Sequence, residues 1–360
     1  MIPYGHQSIG DDDLAAVAAV LKSEWLTQGP AVEDFEHELA TAVGALHAVA
    51  FSNGTAALHG AAAAAGLGPG DLVVTSPLSF VASANCARFV GATAGFVDID
   101  PTTLNLDLTA VPTNAAAVVA VHYAGLPVDL AALSTRPRVV IEDAAHALGA
   151  TTPDGPVGNC AHSDMCTFSF HPVKTVTTGE GGAVTTNDLG LAERLRRFRN
   201  HGIIRKPEQG RWYYEIEELG FNYRLTDLQA ALGSSQLAKL DRFVARRRDL
   251  AARYRELLTD LPVELPPSPP AGFEHAYHLF PVRVPDRRRV FEALRAAGIG
   301  VQVHYVPIYC HPLYADAAGA PGSFPNTDAA YAGLMSLPLF PDLTEPEQDQ
   351  VFDALRKELA

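Results

Sequence analysis

Lys174 is the side chain in this sequence whose surroundings first suggest covalent chemistry. It lies in SFHPVKTVTTGEGG, residues 169–182, between an apolar run typical of a buried strand and a glycine-rich loop. Glycines allow tight turns and a close approach of the backbone to a ligand. A lysine in such a partly desolvated position can lose its proton and form a Schiff base with an aldehyde. An isolated lysine is otherwise a solvated surface charge, so this interpretation requires other groups around it.

The aldehyde that proteins hold most often in this way is pyridoxal phosphate, and its phosphate needs a site of its own. The segment SNGTAAL, residues 52–58, places Gly54 and Thr55 at the start of a predicted helix. Backbone N–H groups and the helix dipole favour an anion at that position. The alternative for this segment is an ordinary helix N-cap.

The pyridine ring of this cofactor needs a carboxylate beside its nitrogen, because the protonated ring is the better electron sink. In VVIEDAAHA, residues 139–147, Glu142 and Asp143 end a predicted strand and point to opposite faces. We select Asp143 as the residue that faces the cleft, and we expect His146 to contact the ring or its phenolic oxygen. The alternatives are a buried acid that caps the next helix and a packed histidine.

An aromatic partner for the outer face of the ring is expected at Phe80. This residue lies in SPLSFVASANC, residues 76–86, between a predicted strand and a predicted helix. An aromatic side chain there can stack on a planar cofactor, and the alternative is an ordinary core residue.

Apolar runs of strand length, separated by helical segments, must position these residues. The runs DLVVTS, AGFVDID, AAVVAVH, RVVIED and MCTFSF predict the strands of a mostly parallel α/β sheet. Ligands bind at the carboxyl edge of such sheets, and here that edge carries polar residues: Ser76, Asp98, His122, Asp143 and Ser169.

The sequence changes character from about residue 188, where amphipathic helices predominate. Residues 225–258 predict one long helix or two in tandem. The proline-rich segment 261–273 is a connector, because proline cannot continue a helix. The remaining pattern suits a smaller α+β domain. We therefore expect a large cofactor-binding domain over residues 1–242 and a small C-terminal domain over residues 243–360.

Composition and charge indicate a globular protein that does not bind nucleic acids. The 360 residues are 48% hydrophobic and 19% charged, with a formal net charge of −14, whereas nucleic acids attract basic surfaces. No C-x-x-C pair occurs, so we expect free thiols at Cys86, Cys160, Cys166 and Cys310. The sequence has neither a signal-peptide pattern nor an apolar run long enough for a membrane span. We expect a soluble, cytoplasmic protein with no membrane partner and no bound metal.

The order of phosphate loop, aromatic residue, aspartate and lysine resembles that of the fold type I pyridoxal-phosphate enzymes, which are aspartate aminotransferase-like α/β proteins. More specifically, WLTQGPAVEDFE, SNGTAAL, EDAAHALGA, FSFHPVKTVTTGEGG and GFNYRLTDLQAALG are similar to segments of the DegT/StrS-type sugar aminotransferases. The similarity extends from IPYG near the N-terminus to SLPLFPDLTEPEQ near the C-terminus.

This resemblance implies catalytic roles for the matching residues. Lys174 would form the Schiff base with pyridoxal phosphate and would act as the base and acid that moves the proton. Asp143 would pair with the pyridine nitrogen, His146 would contact the ring region and Phe80 would stack on the ring.

The resemblance also implies how the phosphate is bound. Thr55, next to Gly54, and Ser169 would bind it from the same chain. Asn222, in GFNYR, would reach the phosphate held by the neighbouring subunit. The implied assembly is therefore a homodimer with shared active sites.

The implied reaction is ping-pong: L-glutamate gives its amino group to the cofactor, 2-oxoglutarate leaves, and a nucleotide-linked keto sugar is then aminated. Several segments, including VHYAG and QVHYVP, are most similar to the 4-aminotransferases of the pseudaminic acid pathway, which act on UDP-4-keto-6-deoxy-N-acetyl-β-L-altrosamine. Tyr4, His304 and Tyr305 are the expected sugar contacts. Such relatives carry a histidine near the end of VHYVPIY, where this sequence has Tyr309, with His311 two residues on. The alternative substrate is another UDP- or dTDP-keto-hexose, aminated at carbon 3 or 4.

The sequence fits functions of other classes less well. The dehydratase-like members of the family replace the lysine with histidine, and Lys174 argues against that activity. A non-catalytic, cofactor-binding regulatory protein could share the fold, but it should show no amino transfer with glutamate. A metal hydrolase lacks the H-x-H or H-E-x-x-H spacing, although ligands could come from His122, Asp143, His146, Asp164 and His171.

Overall fold

A seven-stranded sheet lies at the centre of the computed structural model, which describes residues 1–317, 319 and 322–359. In chain order the described strands are β1 (His47–Phe51), β2 (Leu72–Thr75), β3 (Thr93–Phe96), β4 (Ala117–Val121), β5 (Val139–Asp143), β6 (Thr151–Thr152), β7 (Gly155–Pro156), β8 (Met165–Ser169), β9 (Gly182–Thr186), β10 (Ile203–Arg205), β11 (Tyr214–Ile216), β12 (Phe280–Arg283) and β13 (Leu334–Leu337). The central sheet has the order β1-β9-β8-β5-β4-β2-β3. Its strands are parallel from β8 to β3, and β9 runs antiparallel to β8 and β1. The predicted α/β class with a mostly parallel sheet is confirmed.

The five runs predicted as strands form β2, β3, β4, β5 and β8, the parallel part of the sheet. Strands β4 and β5 are buried along their whole length and rich in valine, as expected where helices cover both faces. The antiparallel edge of β1 and β9 is not among the predicted strands. β1 contains two alanines and β9 begins with Gly-Ala, residues that are depleted in strands, so these segments resemble strands only weakly.

Helices pack on both faces of the sheet. In chain order they are α1 (Asp11–Leu21), α2 (Pro30–Val43), α3 (Gly54–Ala64), α4 (Ala82–Phe89), α5 (Leu189–Phe198), α6 (Asp227–Leu237), α7 (Leu240–Leu257), α8 (Arg287–Ala296), α9 (Pro325–Gly333) and α10 (Glu345–Leu359). Helix α3 lies close to the sheet because it is rich in alanine and glycine; a Cβ on Gly60 would lie 2.7 Å from the ring of Phe51. The long helical segment is two helices in tandem, α6 and α7, separated at Ala238 and Lys239.

A second core surrounds the antiparallel pair β12 and β13, on which α7, α8 and α10 pack. Ile2 joins this core and pairs with Ile299, so the N-terminus belongs to it in space. The boundary expected between residues 242 and 243 falls within α7, whose side chains contribute to both cores. The division into domains 1–242 and 243–360 stays a prediction.

The cysteines are free thiols, as predicted, and only Cys310 is exposed. Burial raises the pKa of Cys86 and Cys160 to about 12, so neither thiol ionises near neutral pH. Among the helices of the described ranges, none has the length and apolar character needed to cross a membrane.

Candidate active site

A cavity of about 660 Å³ lies at the carboxyl ends of β4, β5 and β8, beside the N-termini of α3 and α4. Open α/β sheets bind their ligands at this edge. The cavity is lined by residues that the sequence predicts for the site: Tyr4, Gly54, Thr55, Phe80, Asp143, His146, Ser169, Lys174, His304 and Tyr305. Asn222 is exposed and lies outside this lining. The fold therefore gathers every predicted site residue except Asn222 around one cavity.

The start of α3 forms an anion site in this cavity. The Asn53 side chain caps the helix by accepting a hydrogen bond from the Ala56 N–H (2.8 Å). The N–H groups of Gly54 and Thr55 have no acceptor within the described part of the chain. Ser169 lies against the turn, since a Cβ on Gly54 would be 2.9 Å from its Cβ. The phosphate of pyridoxal phosphate fits this position, because it can accept hydrogen bonds from the free amides and from the hydroxyls of Thr55 and Ser169 and is attracted by the helix dipole.

Two adjacent carboxylates at the end of β5 face opposite sides of the sheet. Asp143 lines the cavity, where Oδ2 accepts a hydrogen bond from the Ser83 hydroxyl (2.6 Å) and Oδ1 accepts one from the Ala145 N–H (3.1 Å). Glu142 lies on the other side and is hydrogen-bonded to Nε2 of the buried His122 (2.8 Å). These bonds orient the Asp143 carboxylate in the cavity, as a partner for a protonated pyridine nitrogen requires.

Lys174 enters the cavity from the turn after β8. Its backbone N–H donates to the carbonyl of His171 (2.8 Å), and its Nζ lies 3.5 Å from Nε2 of His278. Burial lowers the pKa of Lys174 from 10.5 to about 8; Asp143 opposes this shift and Arg247 adds to it. A useful fraction of the amine is therefore unprotonated near neutral pH, as Schiff-base formation requires.

His278 belongs to the site although no sequence pattern singles it out. Its ring lies 4.4 Å from that of His146, whose Nε2 is 3.1 Å from the hydroxyl of Tyr305. Burial, assisted by the charge of Lys174, holds the pKa values of His146, His278 and His304 below 6.5. These imidazoles are neutral near pH 7, so they add hydrogen-bonding groups to the cavity without adding positive charge.

Aromatic side chains line the cavity near its opening. Phe80 is 55% exposed, with its ring 5.9 Å from that of Tyr305. The ring of Tyr4 lies 5.0 Å from that of His304. A ring that is more than half exposed in a cavity offers a free face to a planar ligand.

The position at which the sequence departs from its relatives lies away from the cavity. In the segment VHYVPIY, His304 and Tyr305 line the cavity and Tyr309 does not. The hydroxyl of Tyr309 donates to Oδ1 of Asp328 instead (2.5 Å). In this segment, therefore, the two expected sugar contacts line the cavity, whereas the residue that differs from the relatives does not.

The candidate metal ligands do not come together. In the ranges that the structure describes, no three His, Cys, Asp or Glu side chains lie close enough to hold a metal ion. Asp164, for example, accepts hydrogen bonds from the Val140 N–H (2.7 Å) and from Arg136 (2.9 Å). His122 is hydrogen-bonded to Glu142, and this pair lies on the opposite side of the sheet from Asp143. The geometry gives no support to a metal hydrolase.

The lowered pKa of Lys174 predicts that this side chain contributes more stability to the cofactor-free protein at alkaline pH. An unfolded lysine keeps its proton up to about pH 10.4, whereas folded Lys174 loses it near pH 8. Between these values the unfolded lysine binds more protons, so its contribution to the free energy of unfolding rises with pH, by up to about 3 kcal/mol before solvent in the open cavity reduces it. Cys86 and Cys160, whose pKa values are raised by burial, act in the opposite direction, and they do so equally in a Lys174→Met variant. Urea unfolding at about pH 7.5 and pH 10 should therefore show a stability difference, wild type minus Lys174→Met, that grows with pH. An equal change with pH in both proteins would contradict the lowered pKa.

Comparisons with known proteins agree with this geometry. The model of the DegT/DnrJ/EryC1/StrS aminotransferase family matches residues 7–356. The spore coat polysaccharide biosynthesis protein SpsC of Bacillus subtilis is 39% identical over 376 aligned residues, which cover 99% of this chain and 96% of SpsC. PseC of Helicobacter pylori, an aminotransferase involved in the biosynthesis of pseudoaminic acid, is 31% identical over 99% of both chains, with a TM-score of 0.91. The PLP-form of Spr1654 from Streptococcus pneumoniae is 26% identical, with a TM-score of 0.91, and the match covers 99% of this chain and 98% of Spr1654.

The region matched by the family model contains the anion site at Gly54 and Thr55, the carboxylate of Asp143 and the amine of Lys174. The cavity thus supplies the groups that pyridoxal phosphate (PLP) requires, in a chain whose relatives are similar over nearly its whole length. The chain belongs to the DegT/DnrJ/EryC1/StrS aminotransferase family and is a PLP-dependent sugar aminotransferase with the type I fold.

Proposed function

We propose that this enzyme moves the amino group of L-glutamate to a nucleotide-linked 4-keto-6-deoxy sugar, and that its substrate is UDP-4-keto-6-deoxy-N-acetyl-β-L-altrosamine. The observation that carries the proposal is the position of the Lys174 amine, in one cavity with the anion site of α3 and with Asp143. The family supports a glutamate-type donor. The similarity to PseC over 99% of both chains supports the sugar.

Different residues of the cavity would bind different parts of the cofactor. When bound, PLP supplies the electron sink that allows an amine to pass from one carbon skeleton to another. Asp143 would pair with the pyridine nitrogen and keep a proton there. The amides at the start of α3, with the hydroxyls of Thr55 and Ser169, would bind the phosphate. Phe80 would stack on the ring, and His146 would contact the ring region.

Lys174 is the residue that moves the proton. Its Nζ removes the proton from Cα of glutamate and, in the second half-reaction, gives one to the sugar carbon that receives the amine. The same group can serve as base and acid because its pKa, about 8, lies near the working pH.

The sugar contacts that we propose are Tyr4, His304 and Tyr305. In His304, Nδ1 is engaged by the hydroxyl of Ser336 (2.9 Å), so Nε2 is the ring nitrogen left for a sugar hydroxyl. Tyr305 already contacts His146 through its hydroxyl, which ties the proposed sugar site to the cofactor site.

We also propose a homodimer in which Asn222 completes the active site of the neighbouring subunit. Asn222 is exposed, as a residue that acts outside its own chain must be. The nearby hairpin of β10 and β11, with the loop after it, carries large exposed apolar side chains: Trp212 (80% exposed), Tyr214, Ile216 and Leu219 (81%). Exposed apolar patches of this kind mark protein contacts, which favours a second copy at this face.

The absorption spectrum of the purified holoenzyme tests the proposed function. We expect a visible band from PLP joined to Lys174, and we expect L-glutamate to convert it to the shorter-wavelength band of the aminated cofactor. Keto-sugar nucleotides can then be ranked by the rate at which each restores the first band. UDP-4-keto-6-deoxy-N-acetyl-β-L-altrosamine should be the fastest.

The outcomes separate the alternatives. A faster reaction with another UDP- or dTDP-keto-hexose would overturn the sugar and leave the aminotransferase intact. A visible band that glutamate leaves unchanged would favour the non-catalytic regulatory protein.

A further inference from the structure

His278 makes a contact at the centre of the cavity that the roles above leave unused. Its Nε2 lies 3.5 Å from Nζ of Lys174, and within the described residues this is the one side-chain hydrogen bond of that lysine. His278 is 4% exposed, and its Nδ1 has no acceptor or donor in the described part of the chain. Within the described residues, the ring of His278 therefore makes its one hydrogen bond to Lys174.

The imidazole of His278 can keep this contact in both protonation states of the lysine. Burial lowers its pKa, and the charges of Lys174 and Arg247 and the rings of His146 and His304 act in the same direction, so the ring stays neutral. The nitrogen of a neutral imidazole accepts a hydrogen bond from an ammonium group, and in the other tautomer it donates one to an amine.

The backbone that carries His278 is held by a buried guanidinium. Arg247, in α7, donates from Nη1 to the carbonyl oxygens of Tyr277 (3.2 Å), His278 (3.3 Å) and Leu339 (2.9 Å). The ring itself packs on His146, at 4.4 Å between centroids. His278 is thus fixed from two sides, whereas Lys174 has a long and flexible side chain.

We propose that His278 is a positioning residue that holds Nζ of Lys174 in the cavity, whether that amine is protonated or neutral. The proposal rests on the role of Lys174 given above. While its amine is not joined to the cofactor, the lysine side chain has many accessible rotamers, and an unheld amine would spend much of its time away from the reacting carbon. The hydrogen bond to His278 restricts the amine to the place where it exchanges the proton.

Acetylation of Lys174 by acetic anhydride in the full-length, cofactor-free protein tests this proposal. Peptide mass spectrometry gives its rate as a function of pH, and the midpoint of that profile reports the pKa of the amine. In His278→Leu, the ammonium form of Lys174 loses its hydrogen-bond acceptor. The imidazole binds this ammonium form more strongly than it binds the neutral amine, so its removal should lower the midpoint of the pH profile by about one unit. In the holoenzyme the glutamate half-reaction should slow about tenfold or more. His278→Gln, whose amide can donate and accept, should keep the midpoint near the wild-type value.

His275→Leu is the matched control. It removes a second buried imidazole from the same segment, one that stacks on Tyr277 and does not line the cavity. We expect it to leave the Lys174 midpoint unchanged. An unchanged midpoint in His278→Leu, an equal shift in His275→Leu, or a shifted midpoint in His278→Gln would each overturn the proposal. A visible band that remains in the Lys174→Ala holoenzyme would instead overturn the role of Lys174, so the two failures can be told apart.

Discussion

Lys174→Ala abolishes amino transfer, with an expected loss of at least about 10⁴-fold in the rate of the glutamate half-reaction. Among the described residues that line the cavity, Lys174 is the one that carries an amine. No other group there can form the Schiff base or carry the proton at that position. PLP can still bind through the start of α3 and Asp143, but without the visible band of the covalent complex. Single-turnover spectra with L-glutamate measure the loss.

Lys174→Arg is the control that separates the amine from its charge. The guanidinium stays protonated at any working pH, so it keeps the positive charge in the cavity but cannot act as nucleophile or base. We expect this variant to be as inactive as the alanine variant. Activity within about tenfold of the wild type would show that charge, and not the free amine, is what the reaction needs.

Lys174→Ala also tests the proposal that two subunits share each active site. When Lys174→Ala is reassembled with Asn222→Ala, one site of each mixed dimer combines an intact lysine with an intact asparagine from the other chain. Random mixing of the two variants makes about half of the dimers mixed, so about one quarter of all active sites should regain activity. No restoration would indicate that Asn222 serves its own subunit.

The sequence predicts that four residues of the candidate site lie together, because each of them belongs to a local pattern. Gly54 and Thr55 begin a helix directly after a strand, Asp143 ends a strand, and Lys174 stands between a strand and a glycine loop. Each pattern has a physical reason to face the carboxyl edge of a parallel sheet. The five predicted strands form that sheet, so the local patterns meet in one cavity.

The parts that sequence reasoning missed depend on tertiary contacts. His278 lies far along the chain from Lys174 and reaches it only because Arg247 and the second core place the segment before β12 against the large sheet. Nothing near His278 in the sequence distinguishes it from His275, a buried histidine with no contact to the cavity. Tyr309 is the reverse case: its segment matches the family, yet its side chain turns to Asp328.

Asp143→Asn is the second substitution with a large expected effect, a fall of about 10- to 1,000-fold in the rate of amino transfer. A carboxylate beside a cationic group shifts the pKa of that group by about 1–3 units, and each unit corresponds to a factor of ten in the proton equilibrium. An amide cannot hold the pyridine nitrogen protonated in this way. The amide can still accept from the Ser83 hydroxyl or the Ala145 N–H, so the cavity should keep its shape. Single-turnover kinetics with glutamate measure the fall.

Glu142→Gln is the matched variant, because Glu142 and Asp143 are adjacent carboxylates on opposite faces of β5. Glu142 accepts hydrogen bonds from the hydroxyl of Ser163 and from Nε2 of His122. Nε2 is the donor because Nδ1 of His122 accepts a hydrogen bond from the Val128 N–H and therefore carries no proton. A glutamine has one carbonyl oxygen for these two donors, so one buried donor loses its acceptor at a cost of about 1–3 kcal/mol in the free energy of unfolding. The rate of amino transfer should stay within a few-fold of the wild type. Equal losses of rate in both variants would mean that Asp143 acts through the structure or the negative charge at the end of β5 and not at the pyridine nitrogen. Both variants remove one carboxylate charge and leave one donor without its acceptor.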